Sequence, residues 1–548
     1  MDRHPGLLRT SHTTATEWTR RGFLGGGLAA VATGLLAACG APAPAAAPAT
    51  SPTQASASAA AAASAAAPAA AAARPAKSSG ELKLAIDGEF PATLDATKNA
   101  YQLVRLGLAE TLTRLTPQMK LVPWLAKDVS NVDASTWRVA LRPNARFWDG
   151  SPVTAQDVQT AFQANWAAYP AANGLLSKDT QIKVVDPTTL EFKTPEPIGN
   201  FVNVISAQFF AIHKNGTTMT GPYRPTNISV GQELNAEAFP DHWDGPPPLA
   251  KLTVRLVTDA NARVLALRSG DIDLVYGVPP QAVKSLAGPD FTVSTVSSGR
   301  EDYLVVNHRR PPFNDKTVRE ATALAVDRAA LLTIGLAGQG AVATGMFPPD
   351  QGVQNVDMQA TDTTRAKQVL DDAGWTPGAD GIRAKAGQRL SFQLLSAPAR
   401  TEWTPMAVAI QAQLQALGYE VQIEQVKNIG DQLAQSQDFD AAMYSANMLV
   451  TGDPLYIFNQ TLATGGPANY GGYTNPQLEA TLTSMRGEAD TAKRQMLAVQ
   501  AQQIIKADVP NVYILVVPFI AANNKKVTGY TLHPNDLYIV DSSISISA

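Results

Sequence analysis

The chain has 548 residues, 45% of them apolar and 17% charged, with a formal net charge of −3. Such a length and composition describe a globular protein of two or three domains with a sizeable core, and a mild acidic excess without a Lys/Arg cluster argues against a nucleic-acid partner. One cysteine excludes an internal disulfide, and six scattered histidines argue against a dense imidazole centre, so no metal and no cofactor is expected.

The lone cysteine lies in TRRGFLGGGLAAVATGLLAACG, residues 19–40. A basic pair before a short, glycine-rich apolar run is signal-peptide anatomy rather than that of a spanning helix. Arg20 and Arg21, followed by Phe23-Leu24, resemble a twin-arginine export signal, and Leu36-Ala37-Ala38-Cys39 resembles a bacterial lipobox. Residues 1–39 are therefore read as a signal peptide with lipobox, and Cys39 as the lipidation site. Residues 40–80 are alanine, proline and serine for the most part, with prolines that repeatedly interrupt helix, and are read as a tether. The expected location is extracytoplasmic, lipid-anchored to the cell membrane on its periplasmic side or on the outer cell surface.

Beyond the tether, ELKLAID alternates Leu82, Leu84 and Ile86 with the period of a strand. Thr154 with Asp157 can cap a helix whose Val158, Phe162 and Trp166 recur on one face. Two segments share a layout of helix, glycine stop and alternating strand. In NARVLALRSGDIDLVYG the stop is Gly270, and in MAVAIQAQLQALGYEVQIEQV it is Gly418. Helical patterns cover KTVREATALAVDRAALL and TTRAKQVLDDAGW, while PNVYILVVPFI reads as a buried strand. The alternation of helix and strand predicts an α/β architecture with helix-covered mixed sheets.

Five blocks, in order, resemble the family 5 extracellular solute-binding proteins of ABC importers, the group of dipeptide-, oligopeptide- and nickel-binding proteins. They are RFWDGSPVTAQDVQTAF (146–162), GPYRPTNISV through GDIDLV (221–275), YLVVNHRRPPFNDKTVREATALAVDRAALL (303–332), AKQVLDDAGWTPGADGIRAKAGQRLSFQLL (366–395) and FDAAMYSANMLVTGDPLYIFN (439–459). The resemblance covers essentially all of 81–548. It implies a two-lobed fold of the periplasmic-binding-protein type II, with a hinge between the lobes and an extra inserted domain. Lobe I would be 81–98, 201–304 and 515–548, the inserted domain 99–200, and lobe II 305–514. The implied function is capture of a small molecule or peptide between the lobes and its delivery to an ABC permease with its ATPase subunits. The protein is expected to be a monomer and not an enzyme.

The resemblance also implies ligand contacts at Glu89 and Phe90 after the first strand, at Tyr303 and Asn307 on a crossing strand, and at Asn447, Met448, Leu449 and Asp453 in the loop opposite. A packing role stays open for each. In oligopeptide-binding relatives an aspartate just before the "DP" region anchors the peptide ammonium, and that position is Val450 here. Either Asp453 or Glu89 substitutes for it, or the ligand is not a free-amine peptide. The alternatives in another class are a lipid-anchored secreted hydrolase and a ligand sensor. Against the first, the chain has no G-x-S-x-G, no H-E-x-x-H and no P-loop.

Overall fold

Ser79–Ile86 (β1) buries Leu82, Leu84 and Ile86 as its alternation predicts, but Ala85 is buried as well. The cause is position: β1 runs between two parallel neighbours in the middle of a sheet, so both of its faces are covered. The computed structural model describes residues 78–88, 90–349, 351–358 and 360–547. Arg20, Arg21, Cys39, the tether up to residue 77 and Glu89 lie outside the described residues.

After β1, Ala96–Arg105 (α1) starts at Asp95, whose carboxylate accepts from the Thr97 N–H. A four-stranded antiparallel sheet follows, built from Ala126–Asp133 (β2), Thr136–Leu141 (β3), Gln181–Asp186 (β4) and Thr189–Lys193 (β5) in the order β2-β3-β5-β4. Ala155–Ala168 (α2) carries the predicted capping box, with Thr154 and Asp157 each bonding the other's backbone. Its Phe162 stacks on Phe210 at 4.8 Å and meets Phe192 edge-on, so this sheet has its own aromatic core.

The large sheet collects Tyr223–Ser229 (β6), Glu233–Ala238 (β7), Leu249–Leu256 (β8), Leu274–Tyr276 (β9), Phe291–Val306 (β10), Ser391–Ser396 (β11), Glu420–Gln425 (β12), Ala441–Asn447 (β13) and Asn511–Asn524 (β14). Its order is β12-β11-β13-β10-β14-β9-β1-β8-β7-β6, with Ala341–Val342 also paired to β14. The long strands β10 and β14 are antiparallel partners at the centre, with register shifts between Ser297 and Glu301 and between Asp302 and Tyr303. One half of the sheet therefore lies on each side of this pair. The apolar core divides accordingly: one cluster draws on residues between Tyr303 and Val516, another on β1, α1, β6–β9 and residues 521–546.

Gly270 ends Ala260–Ser269 (α3) with φ +81°, and Gly418, at φ +87°, follows the end of the helix over residues 403–415. The pattern over 316–332 predicts one helix, but two form, Lys316–Ala325 (α4) and Arg328–Leu336 (α5). Asp327 caps the second by accepting from the Ala330 N–H, and the buried Arg328 guanidinium donates to the Ala323 and Val326 carbonyls at the break. Thr363–Asp372 (α6), Trp403–Gln415 (α7), Pro454–Thr461 (α8) and Thr491–Asp508 (α9) complete the helices used below. No helix among the described residues is long and apolar enough to cross a membrane.

Candidate functional site

Parallel strands present their C-terminal ends, with the loops that follow them, as the usual ligand rim of an α/β sheet. In one half β1 is parallel to β8 and β9, and the rim holds Asp87, Val257 and Tyr276. In the other half β11 is parallel to β12 and β13, and the rim holds Ser396 and Asn447. Contacts join the two rims. The Met448 N–H donates to the Gly299 carbonyl of β10 at 2.7 Å, and Asn535 Nδ2 donates to the Val450 carbonyl at 2.8 Å. The next residue, Asp536, accepts from Arg300 Nη2 and from the Tyr101 hydroxyl, both at 3.0 Å. The Arg105 guanidinium lies over the rings of Tyr276 at 5.0 Å and Tyr101 at 5.7 Å. The candidate site is this continuous seam.

The electrostatics follow from burial. Asp302 on β10 is fully buried, accepts from Trp403 Nε1 at 3.1 Å, and leaves Oδ1 without a partner. Burial first, and then the nearby Glu402 charge, push its carboxyl up to about 6. Glu301 is also fully buried with neither oxygen bonded, and burial together with the Asp302 charge raises it well above the carboxylate range. Such a carboxyl resolves its isolation by keeping its proton. At Asp536 burial works in the same direction, but the Arg300 and Arg105 charges and the Tyr101 hydroxyl overcome it and hold the carboxyl below its ordinary value.

The sequence-predicted contacts divide. Asn447, Met448 and Leu449 come together beside Gly299 at the seam. Asn447 Oδ1 accepts from the Leu449 N–H, leaving its buried Nδ2 without a partner, while the Met448 and Leu449 side chains are packed in the core. Tyr303 sits in a tyrosine layer, 5.7 Å from the rings of both Tyr444 and Tyr513. Phe90 packs on the first half's core.

Two of the predicted residues are hydrogen-bonded within the fold. Asn307 is fully buried, donates to the Gln437 and Phe439 carbonyls and accepts from the Arg309 N–H, so both polar atoms of its side chain are bonded within the fold. Asp453 is equally committed. Its Oδ1 caps α8 at Leu455 and accepts from Asn200 Nδ2, while Oδ2 accepts from Arg494 Nε at 3.1 Å and Nη2 at 2.5 Å. Both of its oxygens are thus engaged within the fold, three residues after the apolar Val450. The histidines also serve structure: His213 bonds Asn165, His242 Glu110, His308 the Pro510 carbonyl and His533 the Leu115 carbonyl. Among the described residues no group of three or more His, Cys, Asp or Glu is arranged to hold a metal.

Arg105, Tyr101, Arg300 and Asp536 were not anticipated from sequence. Tyr101 and Arg105 are four apart on one helix face, a readable spacing. Asp536 gives no local signal, since its partners Tyr101 and Arg300 are 435 and 236 residues away in sequence. A separate cavity of about 340 Å³ opens between residues 173–204 and 455–486, walled by Pro195, Ile198 and Leu455 among others.

Residues 120–469 match the family described as bacterial extracellular solute-binding proteins, family 5 Middle. The chain is 26% identical over 468 residues to the nickel-binding protein NikA of Staphylococcus aureus, which covers 81% of this chain and 90% of that protein. It is 26% identical over 440 residues to the probable D,D-dipeptide-binding periplasmic protein DdpA of Escherichia coli, covering 75% and 81%. The crystal structure of NikA from Staphylococcus aureus in complex with Ni(L-His)2 superposes with a TM-score of 0.74 at 25% identity, over 85% of this chain and all of that one. The fold is thus that of a periplasmic binding protein, and the chain belongs to the family 5 extracellular solute-binding proteins of ABC importers.

Proposed function

We propose that this chain captures a small carboxylate-bearing solute at the seam between the two halves of its large sheet and hands it, chemically unchanged, to an ABC permease with its ATPase subunits. The observation that carries this reading is the meeting of two parallel-strand rims across β10, where Asn447 Nδ2 and Asp302 Oδ1 are buried without partners. Buried polar atoms are normally bonded, and those that are not point to an absent partner. The hinge bodies are proposed as 81–98 with 201–304 and 515–548, against 305–514, with 99–200 riding as an insert. A solute drives closure only through contacts it makes better in the closed state.

The relatives' names support a small chelate or dipeptide, since both nickel–histidine and D,D-dipeptides carry carboxylates. With Val450 apolar and Asp453 committed, the peptide reading loses its expected ammonium anchor among the described residues. Lipidation at Cys39, export through Arg20 and Arg21, and a monomer moored by the 40–80 tether complete the proposal. Native mass spectrometry of the full chain, extracted from membranes in detergent, tests it. A diacylated mass beginning at Cys39 and a bound small solute are expected. An unlipidated chain that carries no solute, or release of an altered product from a bound one, contradicts it.

A further inference from the structure

Six arginines are buried among the described residues, at Arg105, Arg263, Arg319, Arg328, Arg383 and Arg494. Five of them are saturated. Arg263 donates to the carbonyls of Val257, Thr258 and Gly277, and Arg319 to those of Phe313, Asp508 and Val509. Arg328 reaches three carbonyls, Arg383 two carbonyls and Asp371, and Arg494 two carbonyls and Asp453. Arg105 is 5% exposed, yet its Nε is buried without a partner, and its guanidinium makes no hydrogen bond or ion pair among the described residues. It lies against the faces of Tyr101 and Tyr276, with the Asp536 and Asp87 carboxylates acting on it from farther off. Ring faces attract the charge but give the buried Nε–H no acceptor. A buried carboxyl such as Glu301 can escape by protonation, but a guanidinium cannot.

The surroundings point the same way. Tyr276 ends β9 at the C-terminal rim, and its hydroxyl is buried without a partner, as is that of Tyr530, on which the Arg105 charge acts. Arg300 and Asp536 form an ion pair at 3.0 Å, so among these three described groups two guanidinium charges stand against one carboxylate. Asp87, a further described carboxylate at this rim, faces Arg263 at 3.7 Å. An electron-rich group arriving through the seam would meet a planar cation already held against two rings.

We propose that the Arg105 guanidinium, with the hydroxyls of Tyr276 and Tyr530, receives a carboxylate of the captured solute. The proposal rests on the solute-capture reading above. It is tested by isothermal titration of the full chain in detergent, stripped of bound solute. The probes are L-alanyl-L-alanine and the nickel(II)–L-histidine complex, each beside its carboxamide counterpart. At least one carboxylate probe should bind about 10-fold or more tighter than its amide. Arg105→Gln should weaken that probe about 30-fold and erase the difference, and Arg105→Lys should retain part of it.

Which probe binds tells a peptide carboxylate from a chelated amino acid. Equal binding of acid and amide, an Arg105→Gln chain that holds the acid as tightly as wild type, or binding of neither acid would overturn the assignment. Should the Gln variant not fold, the acid–amide comparison on wild type decides alone. Mass analysis of the chain as isolated separates the two levels. A bound solute without any carboxylate sinks the Arg105 assignment and leaves capture standing, whereas no solute and no titration sinks both.

Discussion

The Asp453–Arg494 pair and the Arg105 rim place the same side chain, a buried guanidinium, in opposite circumstances. Arg494 joins α9 to the cap of α8 and, through Asp453, to Asn200, with the Met485 and Glu488 carbonyls taking Nη1. Arg105 sits at the end of α1 with two rings and no acceptor. Among the described residues only one of these charges is complete. Saturated charges mark scaffold, and an unsaturated one marks the place where a guest supplies what the fold does not.

That contrast can be broken by substitution, and the largest effect belongs to the saturated side. Asp453→Ala strands Arg494 and uncaps α8, and should remove about 3–5 kcal/mol of stability in urea unfolding; a loss below about 1 kcal/mol would mean that the pair is not structural. Asn307→Ala leaves the Gln437 and Phe439 carbonyls unanswered in the core and should cost about 2 kcal/mol by the same measurement. A ligand-only role would instead leave the midpoint unchanged and weaken solute binding.

Asp302 gives the contrast a pH dependence. Its carboxyl is raised on folding, to about 6, so the native state holds the proton more tightly than the unfolded chain. Its contribution to stability is therefore greatest below pH about 4 and is lost as the pH rises through 6. Asp302→Asn keeps an acceptor for Trp403 and cannot ionise, so its advantage over wild type should grow between pH 4 and 7. A constant difference across that range would refute the shift. The smallest expected effect is Arg105→Gln, which breaks no hydrogen bond among the described residues and should alter stability by under about 1 kcal/mol, at the level of a cation–π contact. A loss as large as that of Asp453→Ala would make Arg105 scaffold after all.

Legibility in the sequence followed range. The Thr154–Asp157 box, the stops at Gly270 and Gly418 and the alternation of β1 depend on residues a few positions apart, and all are present in the structure. The break between α4 and α5 was also readable, since Asp327 is a good cap, but the apolar periodicity ran across it and masked the signal. The roles of Asp453 and Asn307 were not readable. Nothing near residue 453 announces Arg494 forty-one positions on, and Asn307 is tied up by carbonyls 130 and 132 residues away. Tyr276 reads locally as one more residue of the strand after Gly270, because only the assembled rim puts a cation against its ring. Charge saturation is a property of the folded chain, and local pattern does not encode it.

Hydrogen–deuterium exchange on the full chain in detergent, compared as isolated and after its solute is stripped, tests most directly that two halves close over a guest. With solute bound, slower exchange is expected together in residues 100–106, 298–302, 447–450 and 533–537, segments drawn from both sides of the seam. Slower exchange confined to one side, or identical exchange in both states of a chain shown to carry solute, would contradict it.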